Sequence, residues 1–385
     1  MPSRKEVRTA GGPPSSPVLE AVPAQADAVA FLLRAVGRPH HAYLLAGPEG
    51  CGKQLAVRAF AAALLCEAGG CGTCRTCKLT LDDRHPNVAV VEPEGRDIHV
   101  ETIREEIWHP AYRTAPEPGR KIFILREADR LNPAAADALL KVLEEPPADA
   151  VLLLMSARPH ELPDTVTSRC HVVVFRPLPE DFVIRTLTDE NVEERLAAVV
   201  ARLAGGNVGR ARRLAAGSEG LAFRAAGLEA LELASQGPSG ALAAADLVLA
   251  ASDTYRKGLK DALEGDLAPF LDERGKPEEA FRGVIRRLEA RHKRRLRRAE
   301  RDYLDWILLS MSSVFRDRIA SRVGAYAEGL INLDLTPAAE GDIVRWTAAF
   351  AALEEARAAL AEDLNLNPRL LLEHAFLLLG ERTAA

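Results

Sequence analysis

The string Gly47-Pro48-Glu49-Gly50-Cys51-Gly52-Lys53-Gln54 has the residue types and spacing that can cradle a phosphate. Glycines let backbone N–H groups curl round phosphate oxygens at a helix start, and the lysine adds positive charge. The last position departs from the pattern: a Ser or Thr hydroxyl there would ligate Mg²⁺, and Gln54 has none. A second chemical cluster is Cys66, Cys71, Cys74 and Cys77, with Gly69, Gly70 and Gly72 between or beside them for tight turns. Four thiolates so closely spaced suit tetrahedral Zn²⁺ with no open position, hence a structural rather than a catalytic metal. An iron–sulfur run shares the spacing of the last three but expects a further ligand at Leu81, and buried free thiols are the remaining reading. Cys51 and Cys170 have no close partners and read as small apolar residues.

A Mg²⁺-dependent NTPase also needs a metal-holding aspartate and a water-activating carboxylate on a neighbouring strand. The candidate stretch is Ile122-Phe123-Ile124-Leu125-Arg126-Glu127-Ala128-Asp129. Glu127 stands at the carboxylate position, but Arg126 occupies the aspartate position, and a guanidinium repels a metal. With Gln54, two separate metal contacts are missing.

The elements that must position these groups are legible from periodicity. His41 to Ala46 is a strand-length apolar run leading into the glycine string, and a helical pattern from Leu55 to Leu65 follows it. Apolar runs then alternate with helical segments: Asn87 to Val91, the helix Val100 to Trp108, Lys121 to Leu125, the helix Pro133 to Glu145, Val151 to Met155, and His171 to Phe175. Runs apolar on both faces are what strands of a covered parallel sheet require, so an α/β domain is expected over residues 18–177, opened by a helix from Val18 to about Val36. Residues 1–17 carry Pro, Gly and Ser without periodicity and read as a disordered tail. Short helices over 178–220 suggest a small lid, closed by a break at Gly217-Ser218-Glu219-Gly220, and helical patterns over 221–385 suggest a separate all-α domain.

The chain of 385 residues has room for these two or three domains. Its net charge of −5, from 50 basic and 55 acidic residues, does not mark the whole chain as nucleic-acid binding. No apolar run approaches the roughly 18 residues of a membrane span, and no apolar signal segment is present at the N-terminus. The expectation is a cytoplasmic protein with no membrane partner.

Two longer strings carry a resemblance. Asp137-Ala138-Leu139-Leu140-Lys141-Val142-Leu143-Glu144-Glu145-Pro146-Pro147 and Ser168-Arg169-Cys170 follow the nucleotide motifs in order. Together with the cysteine knuckle they resemble the bacterial clamp-loader subunits of the AAA+ class, and Asn365-Leu366-Asn367-Pro368-Arg369 to Glu373 is similar to the end of that family's collar domain. The resemblance implies a parallel sheet with helices on both faces, a helical lid and an all-α collar used for oligomerisation. It implies that Arg169 is an arginine finger pointed at ATP on the neighbouring subunit, where a rigid fork of donors stabilises the transferred γ-phosphoryl. A helix-end arginine paired with a surface carboxylate is the plainer alternative. Implied partners are gamma/tau and delta subunits in a hetero-pentameric ring, with primer-template DNA and the sliding clamp reached through the complex during DNA replication by DNA polymerase III.

The family contains ATP-hydrolysing motors of the gamma/tau type and a stator that lends its arginine without hydrolysing ATP. Gln54 and Arg126 favour the stator. So does Gly206-Asn207-Val208-Gly209-Arg210, similar to the family's sensor motif but with Gly209 at the arginine position and Arg210 about 100° further round the helix. The expectation is a chain with no catalysis of its own inside a nucleotidyltransferase complex, carrying structural zinc. Gly47, Gly52 and Lys53 are left to hold ATP weakly or not at all. The basic stretch from Arg286 to Arg301 allows contact with DNA phosphates or a solvated outer helix face, and Glu289, Glu300 and Asp302 offset its charge.

Overall fold

The structure is a computed structural model, and it describes residues 15–93, 97–215, 217–265, 282–324, 329–335, 341–362 and 366–383. The chain divides into two compact units, Met1–Pro179 and Glu180–Ala385.

The first unit is built on a five-stranded parallel sheet of β1 (Ala42–Ala46), β2 (Val88–Val91), β3 (Lys121–Leu125), β4 (Ala150–Ser156) and β5 (His171–Val174), in the order β2-β3-β4-β1-β5. Side chains alternate across each strand, so a run apolar at every position feeds two cores at once. Tyr43, Leu45, Ile122 and Ile124 enter one core with α1 (Pro17–Glu20), α2 (Ala26–Val36) and α3 (Lys53–Leu65). Leu44, Phe123, Leu125 and Leu154 enter the other, on the side of α5 (Val100–Ile103), α6 (His109–Ala111), α7 (Pro133–Glu144) and α8 (Asp164–Thr167). The short α4 (Arg75–Leu81) lies between the cysteine cluster and β2. Only β5 leaves one face bare: Val172 and Val174 are exposed while Val173 is buried.

In the first unit three boundaries differ from the expectation. The helix expected from Val18 to Val36 is two helices, parted where Ala24 takes a left-handed φ of 53° and Gln25 turns inward to bond the Cys51 and Arg176 carbonyls. The helix from Val100 continues through a π-helical turn, Arg104–Trp108, whose wider ring the periodicity does not reveal. The tail expected over residues 1–17 falls outside the described residues up to residue 14. Its last residues are ordered: Ser16 is buried, and Pro17 opens α1 at a position where its missing N–H costs nothing.

The second unit is helical throughout its described residues. It holds α9 (Glu180–Asp189), α10 (Glu194–Ala204) and α11 (Val208–Ala215), which the sequence suggested as a lid, and the longer α12 (Gly217–Ala234), α13 (Pro238–Gly265), α14 (Arg282–Arg322), α15 (Ile343–Glu362) and α16 (Pro368–Thr383). Gly217 to Gly220, read as a break, form the first turn of α12, where glycine and serine are tolerated because that turn's N–H groups lack helical partners anyway. Its core is assembled round Phe223, Tyr303, Trp306, Ile307, Met311, Phe315, Leu353 and Phe376.

Candidate nucleotide and metal sites

The glycine string connects β1 to α3, as a phosphate-binding loop must. Gly50 and Gly52 take left-handed φ values of 71° and 99°, which turn the chain sharply enough to start the helix at Lys53. Gly47 is required for space as well, since a Cβ there would overlap the carbonyl oxygen of Phe175. Lys53 is 7% exposed and folded back into the loop. Its Nζ donates to the Gly47 carbonyl and, at 2.6 Å, to that of Pro48. Burial lowers the amine's pKa, countered in part by Cys51, Glu49 and Asp129. A phosphate entering the loop has to take Lys53 from these two carbonyls. Gln54 is exposed in the first turn of α3, with an amide where a metal-binding hydroxyl would stand.

The end of β3 is occupied by an ionic network that sequence reasoning missed. Arg126 Nη2 donates to Asp83 Oδ2 at 2.7 Å and Nη1 to Glu92 Oε2 at 3.1 Å. Asp83 also accepts from Arg58, Nε to Oδ1 at 2.9 Å and Nη2 to Oδ2. Asp83 holds a left-handed φ of 57°, uncommon outside glycine but most tolerable for Asp and Asn. Two arginines, from α3 and from the end of β3, therefore share one carboxylate. Glu127 pairs with Arg130 at 2.9 Å. Asp129, 5% exposed, accepts from Ser156 Oγ at 2.7 Å and from the Ala157 N–H at 3.3 Å.

The cysteines converge as the spacing predicts. The sulfurs of Cys66, Cys71, Cys74 and Cys77 all lie within 4.8 Å of one another, with contacts of 3.9 Å for Cys66–Cys71, 3.8 Å for Cys66–Cys74 and 4.0 Å for Cys71–Cys77. Four sulfurs at a Zn–S bond of about 2.3 Å form a tetrahedron with edges of about 3.8 Å, so the donor set fits zinc. Gly69, Gly70 and Gly72 all have positive φ, and a Cβ on Gly70 would strike Ser16, Val18 and Ala63. Cys74 caps α4 by accepting the Cys77 N–H at 3.4 Å. N–H groups of Cys74 and Thr73 lower the Cys71 thiol to about 6, giving a thiolate at neutral pH. Burial raises Cys77 to about 12, so its proton leaves only when a cation replaces it. Cys170 is buried and its thiol is likewise raised to about 12, as a small apolar residue's would be. Cys51 is buried too.

Arg169 follows α8 at the surface. Its Nη1 donates to the Thr165 carbonyl and its Nη2 to Glu144 Oε1, both at 2.8 Å. At 36% and 50% side-chain exposure this pair contributes about 0–1 kcal/mol, so the guanidinium is released cheaply. In the second unit the Asn207 side chain accepts the Arg210 N–H at 2.8 Å at the start of α11, and the Arg210 guanidinium faces Asp305 at 3.7 Å. Gly209 presents no side chain. The basic stretch lies on α14, where the arginine side chains between 286 and 298 are all outside the described residues; Lys293 is exposed and His292 is buried. Asn365, in the string likened to the collar end, is also outside them, and Pro368 opens α16. Among the described residues no helix is long and apolar enough to cross a membrane.

Comparison with known proteins places the first unit. The family described as "DNA polymerase III, delta subunit" matches residues 26–179. The chain is 42% identical over 187 residues to DNA polymerase III subunit delta' of Pseudomonas aeruginosa, an alignment covering 45% of this chain and 55% of that protein. It is 33% identical over 205 residues to subunit delta' of Bacillus subtilis, covering 52% and 61%. It is also 33% identical over 147 residues to subunit gamma/tau of Mycobacterium bovis, covering 37% and 25%. The chain thus spans little more than half the length of the delta' relatives it matches. The N-terminal unit, with its five-stranded sheet and four-cysteine knuckle, is thus similar over residues 26–179 to the corresponding part of DNA polymerase III delta' subunits.

Proposed function

We propose that the chain is the non-catalytic stator of a DNA polymerase III clamp loader, lending Arg169 to ATP held by a neighbouring motor subunit. The observation that carries the reading is Arg126. It stands where a metal-holding aspartate is needed, and both of its terminal nitrogens are spent on Asp83 and Glu92. With Gln54 also unable to ligate Mg²⁺, the loop keeps a phosphate-binding shape without the ion that would make hydrolysis efficient. Arg169 supports the reading from the other side. It is surface-exposed, always charged, and held only by an exposed carboxylate and one carbonyl. In this role zinc on the four cysteines is structural, α9 to α11 act as the lid, α12 to α16 act as the collar, and the partners are gamma/tau and delta subunits in a hetero-pentameric ring. DNA and the sliding clamp are met through that ring.

The test has two arms. The purified chain with Mg²⁺-ATP is expected to show no turnover above background. In the ring reconstituted with gamma/tau and delta subunits, Arg169→Ala is expected to leave assembly intact and to lower ATP turnover at the adjoining site by about 10³-fold or more. Turnover by the purified chain at motor rates would instead carry the gamma/tau reading, which rests on the preserved geometry of Gly47, Gly52 and Lys53. Unchanged turnover with Arg169→Ala would remove Arg169 from the mechanism.

A further inference from the structure

A cavity of about 430 Å³ opens in the second unit among α12, α14, α16 and the segment 329–335. Most of its wall is apolar, formed by side chains such as Leu231, Val314, Phe315 and Leu335. Among the described residues one cation lines it. Arg318 is half-buried, its guanidinium lies over the Phe315 ring at 5.4 Å, and among the described residues no hydrogen bond or ion pair reaches it. Burial lowers its pKa, the reverse of Arg357, which Asp305 and Glu354 hold above its ordinary value against the effect of burial.

The other polar groups of the wall are already committed. Asp317 accepts from the Ile331 N–H at 3.0 Å, and from the Asn332 N–H and side-chain amide at 2.7 and 2.9 Å. The Asn332 side chain in turn receives Arg224 at 3.0 Å and donates to Ser313 at 3.0 Å. Ser235 Oγ donates to the Glu232 carbonyl at 2.7 Å, and the Glu232 carboxylate stands exposed at the rim. A desolvated cation without a partner is costly, and an anion that enters with an apolar body removes that cost while covering the wall. A peptide does not suit the cavity, because its backbone N–H and C=O groups would find no free partners inside.

We propose that this cavity binds a small amphiphilic carboxylate, its apolar part lying against Leu231, Val314 and Leu335 and its carboxylate held in a two-bond fork by Arg318. The site is independent of the nucleotide loop and of Arg169, and stands or falls apart from the stator reading.

Titration calorimetry on the whole chain, using octanoate with 1-octanol as its neutral counterpart, tests it. Octanoate is expected to bind at one site per chain, with octanol at least tenfold weaker. Arg318→Gln is expected to lower octanoate affinity at least tenfold while the melting temperature without ligand stays level or rises, since no partner is left unpaired. Arg318→Lys, which keeps the charge without the fork, is expected to fall between. No heat up to millimolar octanoate, equal binding of octanol, or undiminished binding by Arg318→Gln would each overturn the proposal. Stronger displacement of octanoate by an acidic apolar peptide than by excess octanoate would overturn the choice of ligand. Should Arg318→Gln fail to fold, the octanoate-to-octanol ratio on the unmodified chain and on Arg318→Lys decides the matter.

Discussion

Arg126 and Asp83 are separated by 43 positions and meet through a single oxygen, which Arg58 also approaches. The three side chains are only partly exposed, so the charges are screened less than surface pairs and more than core pairs. Removing one member leaves the others with a partner, and this limits the damage. Arg126→Leu is expected to cost about 1–2 kcal/mol, read from the midpoint shift in urea unfolding, because Asp83 keeps Arg58 while Glu92 turns to solvent. Arg126→Asp is expected to cost more, since it sets a third carboxylate beside Asp83 and Glu92, and to confer no Mg²⁺-dependent hydrolysis while Gln54 remains. If Arg126→Asp were as stable as the unaltered chain, the network would not be what holds the end of β3. Lys53 illustrates the same scale: its two carbonyl partners belong to the loop itself, so the lysine is retained by local geometry whether or not nucleotide binds.

At the scale of elements, the cysteine knuckle is the hinge of the first core. Val18 N–H donates to the Gly70 carbonyl at 3.2 Å, and Gly70 has no room for a side chain against Ser16 and Val18, so α1 is seated directly on the cysteine loop. Elemental analysis is expected to give one zinc per chain. Chelation is expected to lower the melting temperature of the first unit and to raise proteolysis near residue 16, because α1 loses its seat; iron in coloured protein would contradict the zinc assignment. Much of this unit was readable beforehand. The both-faces-apolar runs placed all five strands within a residue or two, since their pattern depends only on local chemistry. Cysteine spacing brought the four thiols together on paper for the same reason. What could not be read is long-range: the partners of Arg126 lie 34 and 43 positions away, and nothing in the local pattern of Arg318 tells it apart from the many arginines that find a carboxylate. The π-helical turn at Arg104–Trp108 was hidden because one wide turn hardly disturbs helical periodicity over so short a segment.

Across the whole molecule, acid stability is set in part by two imidazoles, His41 and His171, at the start of β1 and β5. The His40 ring stacks on His171 with centroids 4.1 Å apart and lies 4.0 Å from His41. Burial first, and His40 next, push His41 and His171 below their ordinary 6.5. The unfolded chain then takes up protons before the folded one as the medium is acidified. Their contribution to stability is therefore complete above pH 6.5 and is lost as pH falls through the lower folded values. Melting temperature is expected to decline from pH 7 to pH 5, and His171→Phe, which keeps a flat ring against His40, is expected to flatten that decline. An unaltered profile in the variant would show that the acid limb arises elsewhere, for instance at His85, which burial also lowers.

The cation at the end of β3 has one more consequence. A metal ion arrives with a nucleotide and departs with its products, and the strand end it organises loosens and tightens with each cycle. A guanidinium attached to the chain never departs. The tie joining β3, α3 and Asp83 therefore does not depend on a bound ion. In the proposed stator role, this unit is the fixed part against which the motion of its neighbours is measured.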